Sequence, residues 1–389
     1  MVSRLNSSSN SSEVNQIIPD HDAPAVREHA ELEEIKPSFI KNADQKQTVL
    51  VTGHAGFIGF HVVKALLERG DNVVGIDSLN THYDIRLKRE RLALLVDLAK
   101  ATGQVLIDLR GDLTDKTVLE SCFLSHKIQR VIHLAGQTDK FLSNGTAQSC
   151  VQNNIHAFAQ LLEFCKTYKI QNLTYASSHA VYGSGLERPM SEQDCANYPL
   201  RLDAATQRSC ELMAHSYSYL FSLPTTGLRF FSVYGPWGRP DSVLFVFARK
   251  IVEGKPIQIY NEGENSRDYT YIADVVESVI RANDSPTQVL THCESKEFSS
   301  TELLKNKAPW QVVNVGASVP ISIERLIFAL ETALEKKAIK EYLTGPILEM
   351  GRSCADIQHL KKVFKYSPRT SFEEGIAEFV KWFRHYYQL

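Results

Sequence analysis

The chain has 389 residues, 43% of them hydrophobic and 23% charged, with 43 Lys plus Arg against 45 Asp plus Glu. A formal charge of −2 leaves no electrostatic footprint for nucleic acid or an anionic membrane, and no stretch approaches the roughly eighteen unbroken apolar residues of a membrane span, so neither is an expected partner. At roughly 100–200 residues per domain the length allows two domains or one large one.

Residues 1–46 are rich in Ser, Asn and charge, carry Pro19, Pro24 and Pro37, and show no sustained period, which predicts a disordered tail. From Thr48 the texture changes. Thr48–Val51 reads as a short buried strand, followed by a glycine-rich turn and a helical pattern over His61–Arg69. Val73–Ile76, Val105–Leu109, Val131–Leu134, Leu173–Ser177 and Thr226–Phe231 read as further strands, and Asn154–Tyr168 as a helix. Short apolar strands alternating with helices over 47–234 predict an α/β fold: a doubly wound parallel sheet covered on both faces. Beyond Tyr234 the Gly and Pro punctuation becomes denser, which predicts a smaller C-terminal lobe built from 235–269 and 319–389. Residues 270–283 and 310–318 return to the sheet, and the polar, aperiodic stretch 284–309 is expected to be an inserted loop. Ser322–Lys337 and Ser371–Tyr387 read as helices, the second capped by Ser371 with Glu373 and Glu374 in its first turn.

The seven cysteines, Cys122, Cys150, Cys165, Cys195, Cys210, Cys293 and Cys354, are scattered, odd in number and free of any C-x-x-C pair. They are expected to be reduced thiols, which suits a cytoplasmic, reducing compartment; the N-terminus shows no apolar signal-peptide core. No metal-ligand spacing stands out.

Val51-Thr52-Gly53-His54-Ala55-Gly56-Phe57-Ile58-Gly59 sets three glycines between a strand and a helix. Gly53 suits a tight turn, Gly56 close approach of backbone to a pyrophosphate, and Gly59 helix packing, with Phe57 and Ile58 opening a helix whose N-terminus faces negative charge. Asp77 follows at the end of the second strand, where a carboxylate accepts hydrogen bonds from ribose hydroxyls and repels a 2′-phosphate, so NAD is expected rather than NADP. Asp112 and Leu113 end the next strand beside the adenine position, and Ala135 and Gly136 end the following one with little bulk.

Together with Asp77-Ser78-Leu79-Asn80, Tyr175-Ala176-Ser177-Ser178, Val181-Tyr182-Gly183 and Arg229-Phe230-Phe231-Ser232-Val233-Tyr234-Gly235-Pro236-Trp237-Gly238-Arg239-Pro240-Asp241, the glycine run resembles the extended short-chain dehydrogenase/reductases, and within them the UDP-glucuronate 4-epimerases. The likeness runs from about Thr48 to Tyr387 and includes Arg267-Asp268-Tyr269-Thr270-Tyr271-Ile272 and Thr370–Ile376. It implies a Rossmann domain with a substrate lobe, NAD as cofactor, a UDP-hexuronate ligand and a homodimer paired through Asn154–Tyr168 and Asp203–Leu220. The implied chemistry is isomerisation at C4: hydride passes between the sugar and NAD while a tyrosinate, held ionised by a Lys four residues later, takes the O4 proton.

This chain departs from that pattern at its centre. Asp203 stands in the Tyr position and Gln207 in the Lys position of Leu202-Asp203-Ala204-Ala205-Thr206-Gln207-Arg208, and Gln carries no charge to lower a phenol pKa. Arg208, about 100° round the helix from Gln207, is poorly placed to substitute. Ser178 matches the hydroxyl that bridges base and substrate; His179 beside it is the candidate replacement base. Tyr182 and Tyr198 lack a Lys four residues on. Phe141 takes a position usually held by Arg, with Lys140 adjacent, whereas Ser232 and Arg239 match uronate contacts and Arg267 a diphosphate contact. The expectation is an NAD-binding, epimerase-like protein impaired in turnover. The alternative is an active 4-epimerase using His179.

Overall fold

The computed structural model describes residues 46–138, 146–184, 187–260, 263–289, 307–344 and 351–389. The predicted tail up to residue 45, Lys140, Phe141, Cys293 and most of the 284–309 insertion lie outside the described residues. Chain order begins with β1 (Thr48–Thr52), α1 (Phe57–Arg69), β2 (Asn72–Asp77), α2 (Ile85–Thr102), β3 (Leu106–Arg110), α3 (Lys116–Ser125) and β4 (Arg130–His133). It continues through α4 (Thr146–Cys150), a π-helical turn at Val151–His156, α5 (Ala157–Thr167), β5 (Asn172–Ser178), a 3₁₀ turn at His179–Tyr182, α6 (Leu202–Phe221) and β6 (Thr225–Phe230).

The later elements are β7 (Ser232–Tyr234), α7 (Val243–Glu253), β8 (Pro256–Tyr260), β9 (Ser266–Tyr271), α8 (Ile272–Asp284) and β10 (Trp310–Val315). After them come β11 (Pro320–Ser322), α9 (Ile323–Leu334), β12 (Ile339–Leu343), α10 (Gln358–Phe364) and α11 (Phe372–Tyr387).

Seven strands form one sheet in the order β10-β6-β5-β4-β1-β2-β3, every pair parallel. Parallel neighbours need crossovers, and the helices that supply them cover both faces. The uniformly apolar β1 still obeys period two. Val49 and Val51 pack into one core with Val62, Leu66 and Val279, while Leu50 joins Phe158, Leu161 and Leu173 on the other side. This is the doubly wound α/β class expected from the sequence.

Local chemistry sets the helix ends. Asp84 and Asp115 accept backbone N–H bonds at the starts of α2 and α3, and α11 opens on a reciprocal capping box between Ser371 and Glu374. Helix α1 starts four residues earlier than the apolar periodicity suggests, at Phe57. The expected helix over Asn154–Tyr168 instead emerges from the π turn. The Asn154 side-chain nitrogen donates to the Gln137 carbonyl at 3.0 Å and Thr206 Oγ1 at 2.8 Å, and its oxygen accepts from Gln137 N at 2.7 Å. A widened turn carries Asn154 onto these partners, and a 3.6-residue period gives no sign of it.

The remaining strands form a three-stranded sheet, β11-β9-β7, and a parallel pair, β12-β8. Trp237, Phe245, Phe379, Trp382 and Phe383 pack as an aromatic cluster, with Trp237 and Trp382 centroids 5.5 Å apart. Arg91 of α2, fully buried, donates to the carbonyls of Ala55 and Trp237, so one guanidinium joins the glycine turn to this cluster. Among the described residues no helix is long and apolar enough to cross a membrane, and no group of three or more His, Cys, Asp or Glu could hold a metal ion.

Candidate functional site

Strand order reverses between β1 and β4, and the glycine turn lies at the carboxyl end of β1, where open α/β sheets bind ligands. Gly53 sits at φ +73, and a Cβ there would stand 2.7 Å from Ala135 N, so the chain leaving β4 passes directly against it. A Cβ on Gly59 would lie 2.1 Å from the Gly53 carbonyl oxygen. Gly56 is the N-cap of α1 and makes no side-chain cap bond, whereas α2 and α3 open on the carboxylates of Asp84 and Asp115; the first turn of α1 carries no acid. Its end carries unneutralised backbone N–H dipoles, which suit a pyrophosphate. Phe57 is buried against His61, and Ile58 is half-buried beside it.

Asp77, nearly sealed from solvent, accepts from Ala55 N at 3.3 Å and Leu79 N at 2.8 Å, so it shapes the turn. Lys88 Nζ lies 3.7 Å from it and donates to Asn80 at 2.9 Å. His54, fully buried, meets Asp108 of β3 at 3.0 Å, and its ring occupies the space that a Cβ on Gly75 would need. Hydrogen bonding to His54 holds the Asp108 carboxyl below its usual range.

The exposed Asp112 carboxylate accepts from both Thr114 N and Thr114 Oγ1 at 2.8 Å, which engages it in its own turn. Leu113 is buried, and its carbonyl accepts from Gln160. Ala135 N donates to Thr52 Oγ1, while Gly136 is exposed, with Asn154 Oδ1 3.5 Å from where its Cβ would be. The glycines, the uncapped helix start and Asp77 fit NAD.

Asp203, Gln207 and Glu211 follow one another at four-residue steps along one face of α6. Asp203 is buried and accepts from Arg201 Nε at 2.9 Å and Nη2 at 2.6 Å. The Gln207 side-chain oxygen is buried and, among the described residues, has no hydrogen-bond partner. Glu211 accepts from Ser177 Oγ, from both Arg229 Nε and Nη2, and from Arg208. Burial pushes Glu211 up, but these bonds outweigh it and hold the carboxyl below its usual range. Arg208 is therefore directed to Glu211.

Ser178 ends β5, half-buried, and its hydroxyl accepts from Ala180 N at 3.1 Å. His179 stacks on Phe231 with centroids 4.9 Å apart, and its Nδ1 donates to the Phe230 carbonyl at 3.1 Å. A carbonyl can only accept, so the proton of the neutral ring is on Nδ1 and Nε2 is the basic nitrogen. Tyr182 is buried, donates to Asn314 and is pushed up to about 12 by burial, which disqualifies it as a base at neutral pH. Tyr198 is 79% exposed.

Ser232 pairs with Tyr269 on the adjacent strand, and Arg267 lies opposite Ile321, both half-buried. Arg239 places Nε at 3.0 Å and Nη2 at 2.5 Å from the Asp241 carboxylate and Nη1 at 2.6 Å from Thr138. The fork expected for a uronate thus meets an internal acid. Sequence reading missed Arg201, His54, Asp108 and Asn154; each acts through a partner distant in sequence or, for Arg201, through a rotamer that spacing does not reveal.

The profile of the "NAD dependent epimerase/dehydratase family" matches residues 49–292. An uncharacterised 37.6 kDa protein of Escherichia coli O111:H- is 42% identical over 344 residues, 87% of this chain and 99% of that protein. UDP-glucuronate 4-epimerase 1 of Arabidopsis thaliana is 38% identical over 345 residues, 87% of this chain and 77% of that one. Among solved structures, UDP-glucuronic acid 4-epimerase from Bacillus cereus, in complex with UDP-glucuronic acid and NAD, superposes with a TM-score of 0.75 at 30% identity. That match covers 88% of this chain and all of the other. The chain belongs to the NAD dependent epimerase/dehydratase family.

Proposed function

We propose that this protein binds NAD and a UDP-hexuronate but is impaired as a UDP-glucuronate 4-epimerase. The observation that carries the reading is the pairing of buried Asp203 with the partly exposed Arg201, at the position where the resemblance expects a tyrosine. An aspartate there is shorter by most of a phenol ring, and both of its oxygens are occupied by Arg201. Gln207 offers an amide where an ammonium would stabilise a phenolate. NAD, when bound, supplies the hydride acceptor at sugar C4. The residues of α6 supply no group to take the O4 proton.

Gly53, Gly56, Phe57, Ile58, Gly59 and Asp77 would hold the dinucleotide with the loops at Asp112–Leu113 and Ala135–Gly136; Ser178, Ser232, Arg239 and Arg267 would face the nucleotide sugar. We read 47–234, with 270–283 and 310–318, as the dinucleotide half, and 235–269 with 319–389 as the sugar half. The thiols Cys122, Cys150, Cys165, Cys195, Cys210 and Cys354 support a reducing compartment. Exposed Leu212, Tyr219, Leu220 and Phe221 on α6 support a homodimer through that helix.

A second reading rests on His179, whose Nδ1 bond leaves Nε2 basic beside Ser178. One experiment separates the two. Release and quantify bound NAD⁺ and NADH, incubate native protein with UDP-glucuronate and resolve the 4-epimers. Bound NAD with no epimer supports the impaired reading; turnover abolished by His179→Ala supports the other; absence of bound NAD rejects both.

A further inference from the structure

Asp268, in the middle of β9, is fully buried, and its carboxylate joins three separate stretches of backbone. Oδ1 accepts from Ala317 N at 2.8 Å, and Oδ2 accepts from Ser318 N and Ala355 N, each at 2.9 Å. Thr270 Oγ1 adds a longer bond at 3.4 Å. The arrangement is built around the acid. A Cβ on Gly316 would fall 2.9 Å from Asp268 Oδ2, 2.4 Å from the Ala355 Cβ and 3.3 Å from Phe231, so only glycine leaves room. Ser318 is held at φ 61, a left-handed conformation that disfavours a side chain, and its hydroxyl donates to the Ala355 carbonyl at 2.7 Å.

A buried carboxylate normally has a cation to offset its desolvation. This one is served by backbone N–H groups, and burial pushes it up to about 6 despite them. Such an acid is a poor stabiliser of the fold, because desolvation disfavours its ionised form. What it does is lock the loop after β10 and the stretch 353–355 against β9, whose next residue, Arg267, projects from the opposite face; Gly316 of that loop lies beside Phe231, on which His179 stacks.

We propose that Asp268 is a positioning residue for the nucleotide-sugar half of the cleft: its carboxylate, by gathering the N–H groups of Ala317, Ser318 and Ala355, sets the loops that receive the ligand beside Arg267. The inference rests on the reading of that half as the nucleotide-sugar site. An amide puts a donor-only group at one of the two oxygen positions, so at least one of the three N–H groups loses its acceptor, and protonation weakens one oxygen as an acceptor and adds a proton that must itself find a partner. The charged and titratable groups around it are Arg267 on its own strand and Arg352, Cys354 and Asp356 from the third stretch; Gly316, Ala317 and Ser318 bring none. The Cys354 thiol is raised by burial and by Asp268 itself, so it does not titrate near neutrality.

The test is calorimetric titration of the full chain with UDP-glucuronate and, separately, with NAD, at about pH 7.5 and about pH 5, in wild type and Asp268→Asn. Wild type is expected to lose UDP-glucuronate affinity roughly tenfold on acidification while NAD affinity holds, and Asp268→Asn to start weak and stay flat. An acid loss that persists in Asp268→Asn belongs to another group, such as His179, and overturns the proposal. So does Asp268→Asn binding as tightly as wild type at the higher pH. If Asp268→Asn fails to fold, the wild-type profile decides: equal UDP-glucuronate affinity at both pH values overturns the inference. Wild type that binds NAD but no UDP-glucuronate at either pH instead overturns the underlying reading, and the inference with it.

Discussion

Arg201 grips Asp203 at two points, Nε at 2.9 Å and Nη2 at 2.6 Å, with the carboxylate sealed from solvent and the guanidinium 32% exposed. The pair occupies the start of α6, so placing a tyrosine at 203 means undoing a formed contact as well as adding a side chain.

Asp203→Tyr with Gln207→Lys is accordingly expected to yield slow epimerisation of UDP-glucuronate, because the new Lys, with Arg201 released from its acid, would stabilise the phenolate. Adding Arg201→Ser, which takes a cation from beside the phenol, should lower that rate, and Asp203→Ala alone should lower stability by about 1 kcal/mol, discounted for the partly exposed Arg201. Chromatographic separation of the two epimers and a denaturant melt check both. A double variant no faster than unmodified protein would show that residues 203 and 207 do not by themselves set the rate.

Gly59→Ala should release the cofactor. Its Cβ would sit 2.1 Å from the Gly53 carbonyl oxygen, so the turn must move away from α1 and the N–H groups at the helix start lose their aim. Fluorescence or calorimetric titration is expected to show NAD affinity reduced by roughly two orders of magnitude, or about 3 kcal/mol. Affinity unchanged within a factor of two would mean that the dinucleotide does not lie on this turn.

His54 anchors the same turn from beneath. Removing its ring leaves a cavity against Gly75 and takes a partner from Asp108. His54→Ala is expected to cost about 2–4 kcal/mol of stability and to weaken NAD, with UDP-glucuronate affinity at saturating NAD left intact. Loss of both ligands in parallel would point to general unfolding.

Acid weakens the fold through His133. Burial lowers the His133 imidazole to about 4, beneath its ordinary 6.5, so the unfolded chain binds the proton first and the fold loses roughly 3 kcal/mol as pH falls through that window. Asp268, raised to about 6, acts oppositely between its ordinary 3.8 and 6. The His133 effect is therefore read as a difference: His133→Asn should show a shallower fall in stability from pH 6.5 toward 4.5 than wild type. Identical slopes would place His133 in a hydrated or protonated state.

Leu212 at 56% and Leu220 at 66% exposure lie on α6 with Tyr219 and Phe221. Light scattering at micromolar concentration is expected to give a dimer, and Leu212→Glu with Leu220→Glu a monomer that keeps NAD. A wild-type monomer would remove the homodimer from the proposed function.

Strands β1, β2 and β4 were legible because fully buried parallel strands are short apolar runs, and the glycine spacing is dictated locally by a turn that has no room for Cβ atoms. Helix α11 was legible from its cap, since Ser371 and Glu374 are three residues apart and satisfy each other. The π turn was not, because its cause lies in Gln137 and Thr206, both remote from Asn154 in sequence.

The amino-acid order by itself determined the doubly wound architecture and the glycine turn between β1 and α1, and it set Asp203 and Gln207 four residues apart on one helix face: each follows from spacing within one short segment. Only the tertiary structure decided what those residues touch. That Arg201 closes on Asp203, that Arg239 meets Asp241 and Thr138, that His54 is keyed to Asp108, and that Asp268 gathers three N–H groups from two distant loops are consequences of packing. Hydrogen-bond partners are assigned by proximity in the folded chain, and spacing along it carries no record of them.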